Sequence, residues 1–187
     1  MIIVGLDEAG RGPLAGPVYA AAVILPLDFP LELLDDSKKL SPKKREKTAG
    51  IIMEKAAWGI ASAEASEIDQ INILQASLLS MSRAWDALIF AFPAYAGISD
   101  LCGIIDGLYN PVLPIPCKAI VKADAQVPAV MAASILAKTA RDRIMETYSL
   151  FYPEYGYEKH KGYPTKAHRA AIAQYGFSPI QRLSYKS

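Results

Sequence analysis

The chain has 187 residues, of which 52% are hydrophobic and 21% are charged, and its formal net charge is +1. This length and composition are typical of one soluble globular domain with at most a small appendage. The longest apolar run, at residues 18–25, is too short to cross a bilayer, and the N-terminus does not resemble a signal peptide. Two cysteines make neither a disulfide framework nor a zinc site. We therefore expect a reduced, cytoplasmic protein without membrane association.

The first strand and turn, MIIVGLDEAGRGPLAGP, carry the clearest functional pattern. An apolar, β-branched run predicts a central strand, and Asp7 and Glu8 follow it directly. Burying ionised carboxylates costs on the order of several kcal/mol each unless they are paired or bind a cation. The glycine-rich turn that follows offers Arg11 and unhindered backbone N–H groups, which suit a phosphate. The stretch therefore predicts a cation site beside an anion site.

The rest of the chain alternates strands with helices. The short connection after the first strand predicts an antiparallel second strand at residues 18–25. Ser41 and Pro42 are typical of a helix N-cap and first helical position, and this helix is expected to end near Lys55. Ser66 and Asp69 have the spacing of a cap for a short turn. Hydrophobic periodicity predicts further strands at 58–65, 101–105 and 118–122, and further helices at 72–92, 128–148 and 165–175. Thr165 is the expected N-cap of the last helix.

These elements predict an α/β fold, with a central mixed five-stranded sheet flanked by helices and a small C-terminal helical lobe. The amino-acid composition changes at Tyr148, where a tyrosine-rich segment interrupted by proline and glycine begins. We therefore expect a main domain at residues 1–147 and a lobe at residues 148–187, which together form one compact unit.

Carboxylates follow three of the predicted strands: Asp7 with Glu8, then Asp106, then Asp124. Carboxylates at the ends of central strands can converge at one sheet edge, and hard oxygen ligands favour Mg²⁺ or Mn²⁺ over zinc. This set predicts metal-assisted phosphodiester chemistry. Asp106-Gly107 taken alone is more typical of a turn. Neighbours on a strand point to opposite faces, so Asp7 and Glu8 share a site only if the strand ends at Glu8, as the glycine turn favours, or if the longer Glu8 side chain curls round.

Two basic segments on this nearly neutral chain suggest a polyanion partner. Residues 38–47 hold six lysines or arginines against one glutamate, and residues 156–187 hold six against one. Together they predict a nucleic-acid surface, whereas either segment alone is more typical of a solvated face. We expect phosphate contacts from Lys38, Lys39 and Lys122.

The motif DEAGRGPLAGPV at residues 7–18 resembles the signature of the ribonuclease HII family. Further resemblances follow in the family's order: DSKKL at 36–40, INILQAS at 71–77, AASILAKTARD at 132–142 and HKGYPTKAH at 160–168. The resemblance implies a ribonuclease H-like fold. It also implies an endonuclease that hydrolyses RNA in RNA–DNA hybrids and cuts 5′ to single ribonucleotides in duplex DNA, leaving a 3′-hydroxyl and a 5′-phosphate.

The resemblance also assigns site residues. It makes Asp7, Glu8, Asp106 and Asp124 the catalytic, metal-binding carboxylates. It gives recognition of the 2′-OH to the backbone of Gly10, Arg11 and Gly12, in keeping with the close approach that glycine allows. A tyrosine of the family's KGYP segment packs on the next nucleotide, which corresponds to Tyr163. The residues alone do not separate Tyr163 from Tyr155 or Tyr157.

Other polar residues receive structural assignments. Asp142 lies four residues after Lys138, which predicts a surface ion pair. A solvated face is expected for Lys43, Lys44, Arg45 and Lys47. His160 and His168 could protonate a leaving group or contact phosphate, but a place at the surface of the basic lobe is the favoured interpretation. Ser134 is expected to pack near the carboxylates without acting as a nucleophile. Ala123 and Gln181 stand where many relatives have glycine and histidine, and the second departure weakens a role for the tail in contacting nucleic acid.

Alternative functions remain open from the residues. A DNA-directed nuclease on the same superfold would use the same carboxylates. A hybrid-binding module would bind without cutting, and a small-molecule phosphatase would leave the basic segments and the Gly-Arg-Gly turn unexplained. A monomer is the default expectation for the oligomeric state.

Overall fold

The computed structural model describes residues 1–35, 37 and 39–185. Its centre is a five-stranded sheet with the order β3-β2-β1-β4-β5. β1 runs antiparallel to β2 and parallel to β4, so the sheet is mixed, as predicted. The strands are β1 Ile2–Ala9, β2 Val18–Ile24, β3 Ala57–Ala63, β4 Leu101–Asp106 and β5 Cys117–Ile120.

The described residues form five α-helices: α1 Pro42–Lys55, α2 Ala65–Ala91, α3 Pro128–Phe151, α4 Tyr157–His160 and α5 Lys166–Tyr175. As predicted, the Ser41 hydroxyl caps α1, and that of Thr165 caps α5. α2 begins at Ala65 rather than at Asn72, because Glu64 and Glu67 form a reciprocal capping box. The expected cap by Ser66 and Asp69 is therefore wrong.

Asn72 interrupts α2 with a φ of 66°. Its side-chain oxygen accepts hydrogen bonds from the backbone N–H groups of Leu74 and Gln75, at 3.0 and 3.1 Å. This local cap restarts the helix in a new direction, because Asn tolerates positive φ and satisfies the first free N–H groups of the second segment.

The helices cover both faces of the sheet. Leu6 and Val4 pack with Met81 and Trp85 of α2 on one face, while Val23 packs with Ile135 of α3 on the other. Glycines permit the close approach: a Cβ on Gly5 would lie 2.1 Å from the backbone of Ala129 in α3, and one on Gly59 would lie 2.2 Å from that of Ala84 in α2. Burial of each large apolar side chain in these layers contributes about 1.5–3 kcal/mol.

The C-terminal segment packs on the turn between β1 and β2. Ala15 bridges to Gln181, and the N–H of Gly16 donates to the carbonyl of Ile180. α3 continues through residues 147 and 148, so one helix spans the expected boundary of the lobe. Within the described ranges, none of the helices is both long and apolar enough to cross a membrane.

Candidate active site

Asp7 and Glu8 lie inside β1. The ladder with β2 continues to Ala9, with Asp7 opposite Ala21 and Glu8 opposite Ala20. The expectation that the strand ends at Glu8 is therefore wrong, since β2 supplies hydrogen bonds up to the glycine turn. Alternation places the two carboxylates on opposite sides of the strand. Both still line one cleft, together with Ala9 and the Gly-Arg-Gly turn that follows.

Asp106 links two of the acidic positions. It is the last residue of β4, and its Oδ1 accepts a hydrogen bond from the N–H of Ala123 at 2.9 Å. Ala123 opens a short 3₁₀ turn, residues Ala123–Ala125, which carries Asp124. Carboxylate oxygens of Asp7, Asp106 and Asp124 all lie within 4.8 Å of one another. Two strand ends and one turn therefore build an acidic triad, and Glu8 borders the same cleft.

Burial strongly perturbs the acids on β1. Burial raises the pKa of Asp7 well above its ordinary value, and the charges of Glu8 and Asp106 add to this, while a hydrogen bond with Ser134 opposes it. Burial also raises the pKa of Glu8, with Arg11 opposing at a distance of 3.3 Å between Nη1 and Oε1. Converging carboxylates that resist ionisation are stabilised by a cation. The all-oxygen donor set and the 4.8 Å spacing fit Mg²⁺ or Mn²⁺.

The cleft has a volume of about 290 Å³. Its lining joins the carboxylates of Asp7, Glu8 and Asp106 to the Gly-Arg-Gly turn, to two residues of α3 and to Tyr163. The residues from α3 are Lys138 and Ser134. Tyr163 is 42% exposed, and a Cβ on Gly12 would stand 3.6 Å from its Cε1. The structure thus brings Tyr163 to the cleft that Asp7, Asp106 and the Gly-Arg-Gly turn line, although Tyr163 lies far from them in sequence.

The predicted phosphate-contacting lysines are placed differently. Lys39 and Lys122 are exposed and lie outside the lining of this cleft. Lys122 has a φ of 61° and leads into the turn that carries Asp124. Lys38 lies outside the described residues.

Arg45 corrects the prediction of a wholly solvated face. It is 8% exposed, and its Nη2 lies 2.9 Å from Oδ2 of Asp142. Lys138 donates to the other oxygen of Asp142 at 2.6 Å. The predicted surface pair is therefore a partly enclosed three-residue network, because α1 packs on α3 and covers it. Lys43, Lys44 and Lys47 are exposed, as expected.

The two histidines also differ from expectation. His168 is fully buried, and its ring stacks on that of His160 with centroids 4.6 Å apart. Its Nδ1 lies 3.0 Å from the carbonyl of Tyr163, and burial lowers its pKa. His160 is half-buried. The surface prediction is wrong for His168, because the ring of Tyr157 in α4 packs edge-on against it and the carbonyl of Tyr163 contacts it.

Sequence reasoning missed two buried arginines. Arg141 donates to the carbonyls of Pro17, Ala15 and Lys161, at 3.0 to 3.2 Å. Its spacing from Ser134 and Lys138 places it on the same face of α3, which was the available signal. Arg182 in the C-terminal tail is also fully buried against the glycine turn, and nothing in its local sequence pointed to that role.

Comparisons with known proteins agree with these features. The family model described as ribonuclease HII matches residues 4–187. A ribonuclease HII of Treponema denticola is 52% identical over 195 residues, covering 98% of each chain. Ribonuclease H2 from Pyrococcus horikoshii OT3 has a TM-score of 0.77 at 27% identity, covering 100% of this chain and 94% of that one. Bst-RNase HIII in complex with Mn²⁺ shares the fold, with a TM-score of 0.77 at 19% identity, covering 99% of this chain and 67% of that one.

Proposed function

The chain belongs to the ribonuclease HII family, and on that premise we propose that it is a metal-dependent endoribonuclease that hydrolyses RNA in RNA–DNA hybrids. The proposal includes cleavage 5′ to a single ribonucleotide embedded in duplex DNA, with a 3′-hydroxyl and a 5′-phosphate as products. The observation that carries it is the acidic triad, whose oxygens lie within 4.8 Å of one another. Two of its members, Asp7 and Asp106, line the same cleft as the Gly-Arg-Gly turn.

Asp7, Asp106 and Asp124, with Glu8 beside them, are the proposed catalytic carboxylates and the ligands of Mg²⁺ or Mn²⁺. When bound, such a cation activates water and stabilises charge that develops on the scissile phosphate. The fold of the Mn²⁺ complex of Bst-RNase HIII supports a divalent ion here. The raised pKa values of Asp7 and Glu8 support it independently, because a cation offsets the cost of their burial.

The Gly-Arg-Gly turn is the proposed reader of the sugar. Gly10, Arg11 and Gly12 border the cleft, where backbone groups can approach a 2′-OH that both donates and accepts hydrogen bonds. Tyr163 is exposed beside Gly12 of this turn. Its ring is proposed to pack on the nucleotide that follows the ribose and to disfavour a second 2′-OH there by shape.

The basic surface is the proposed contact for the nucleic-acid backbone. Lys39 and Lys122 are exposed, as phosphate contacts require, and Lys38 belongs to the same proposal. Such contacts are independent of sequence and sensitive to salt. They position the duplex, whereas the turn selects the sugar.

The experiment that tests this function uses an end-labelled DNA duplex with one ribonucleotide, in Mg²⁺ and in Mn²⁺. An all-DNA duplex and an Asp7→Asn variant are the controls. Cleavage 5′ to the ribonucleotide alone, lost in the variant, supports substrate and site together. Cleavage of both duplexes would favour a DNA-directed nuclease of the same superfold, and binding without cleavage would favour a hybrid-binding module.

We propose a cytoplasmic, monomeric protein, in which residues 148–187 form a substrate-binding lobe packed on the main domain. The free Cys102 and Cys117 are consistent with a reducing compartment. Light scattering of the purified protein tests the monomer, since a dimer would double the measured mass.

A further inference from the structure

Arg182 reaches from the C-terminal tail into the Gly-Arg-Gly turn. Its side chain is fully buried. Nη2 donates to the carbonyl of Gly10 at 2.6 Å, Nη1 to that of Arg11 at 3.0 Å, and Nε to that of Gly16 at 2.8 Å. One guanidinium therefore fixes the direction of three peptide groups in a segment of seven residues.

Tyr185 completes this contact. Its hydroxyl donates to the carbonyl of Arg11 at 2.7 Å, so that oxygen accepts from both tail residues. The guanidinium carbon of Arg182 lies 5.1 Å from the centroid of the Tyr185 ring, within the range of a cation–π interaction. We name residues 180–185 the C-terminal clasp.

The clasp is itself anchored on the body of the protein. The N–H of Arg182 donates to the carbonyl of Leu14 at 2.8 Å. The Asp69 carboxylate, on α2, accepts hydrogen bonds from the N–H groups of Leu183 and Ser184, at 2.9 and 2.8 Å. The clasp thus connects the segment before β2, at Leu14, to α2, at Asp69.

Burying the Arg182 guanidinium costs desolvation free energy, and the backbone carbonyls that it faces must be aligned with its donors. Removing a guanidinium from water is repaid only by several well-aligned acceptors, and its rigid, planar fork suits the simultaneous contacts seen here. A lysine ammonium could not reproduce this fork. The arrangement therefore sets geometry in the turn, beyond contributing charge.

Peptide geometry gives the clasp a functional consequence. In a planar trans peptide the C=O and the following N–H point in opposite directions. Because the carbonyls of Gly10 and Arg11 point toward Arg182, the N–H groups of Arg11 and Gly12 point away from it. Arg11 and Gly12 line the substrate cleft, so this orientation leaves two adjacent donors for a ligand.

We propose that Arg182 and Tyr185 are positioning residues that orient the Arg11 and Gly12 amides and so set the selection of ribonucleotide over deoxyribonucleotide. This inference rests on the proposed function. Arg141 acts on a different part of the turn, since it holds the carbonyls of Ala15 and Pro17, which follow the Gly-Arg-Gly segment. The tail therefore acts through the turn without touching the reacting phosphate.

The test compares binding of two duplexes, identical except for one 2′-OH, by fluorescence anisotropy in Ca²⁺. Its readout is the ratio of Kd for the all-DNA duplex to Kd for the ribonucleotide-containing duplex. Tyr185→Phe removes the hydroxyl that donates to the Arg11 carbonyl and accepts from Nη1 of Arg182, and it is expected to lower this ratio about three- to tenfold. Arg182→Lys is expected to lower it at least as far. Leu183→Ala is the matched control, because this clasp side chain is 68% exposed, and it should leave the ratio unchanged.

A purely structural role predicts a different result. Partial unfolding lowers the active fraction equally for both duplexes, so the ratio would stay constant while the signal amplitude fell. A ratio equal to wild type in Tyr185→Phe, with an unchanged Tm, would overturn the positioning role even if Arg182→Lys fails to fold. Absence of any preference in the wild-type protein would instead overturn the proposed function, and this inference with it.

Discussion

A methyl group on the Cα of Gly10 would lie 2.0 Å from Nε of Arg141. Gly10 also has a φ of 101°, a backbone conformation that residues other than glycine rarely adopt. Arg141 is fully buried and holds neighbouring carbonyls, so it cannot move aside cheaply. The first glycine of the turn is therefore required by packing as well as by backbone conformation, independently of any ligand.

We expect Gly10→Ala to destabilise the protein by about 2–4 kcal/mol, because it combines overpacking with backbone strain. Gly12→Ala is the matched control, since its Cβ would meet only the ring of Tyr163, at 3.6 Å. Denaturant unfolding measures both. An equal loss of stability in the two variants would contradict the packing argument.

Asp7→Asn is expected to stabilise the metal-free protein while it abolishes cleavage. The folded-state pKa of Asp7 lies well above its ordinary value, so the folded state binds the extra proton, and stability falls as pH rises from the unfolded pKa toward the folded one. At pH 7 in EDTA, removal of the charge should raise Tm by several degrees, about 1 kcal/mol or more. Calorimetry measures this, with Asp86→Asn as the control at an exposed acid.

Mg²⁺ or Mn²⁺ is expected to raise the Tm of the wild-type protein, because a ligand that binds only the folded state stabilises it. At a concentration one hundred times Kd the gain is about 2.7 kcal/mol. Asp106→Asn should lose most of this rise, since Asp106 is one of the three acids that meet within 4.8 Å. A metal-induced rise of full size in that variant would remove Asp106 from the ligand set.

Asp142→Asn is expected to destabilise the protein by about 2–4 kcal/mol, because it leaves the enclosed Arg45 without its anionic partner. Arg45→Met should cost less, as it removes the buried cation and retains an apolar stem. The double variant should be more stable than the sum of the two losses predicts. Lys47→Met, at an exposed site on the same helix, controls for loss of positive charge. Additive losses would mean that the pair does not couple.

His168 is expected to make stability depend on pH below neutrality. Burial lowers its pKa in the folded state, so the unfolded chain binds a proton first as the pH falls through about 6.5. Stability contributed by neutral His168 is present above that value and declines as the pH falls toward the folded pKa. His168→Asn keeps a donor for the Tyr163 carbonyl and should flatten Tm between pH 7 and pH 5, compared with wild type. An unchanged slope would contradict this assignment.

Much of the fold follows from local pattern. An apolar, β-branched run marked the first strand and hydrophobic periodicity marked the later ones, while the caps of Ser41 and Thr165 marked two helix starts, because these signals depend on residues close in sequence. The start of α2 was misplaced, because its capping box uses two glutamates and its interior is broken at Asn72. When only the sequence is known, Asn72 resembles the start of a helix. Its positive φ inside a longer helix is visible only in the structure.

The sequence by itself determined the kind of chemistry: carboxylates after apolar strands, a glycine turn with one arginine, and an aromatic residue in a basic segment. Only the tertiary structure decided how these parts meet. The parallel pairing of β1 with β4 brings Asp7 toward Asp106, and the packing of α1 on α3 turns Arg45 from a solvated cation into a buried partner of Asp142. The tertiary structure also brings Arg182, which is 172 residues away along the chain, to the carbonyl of Gly10. Local sequence specifies conformation and charge, whereas burial and long-range hydrogen bonds depend on which distant segments pack together, and these fix the environment of each site residue.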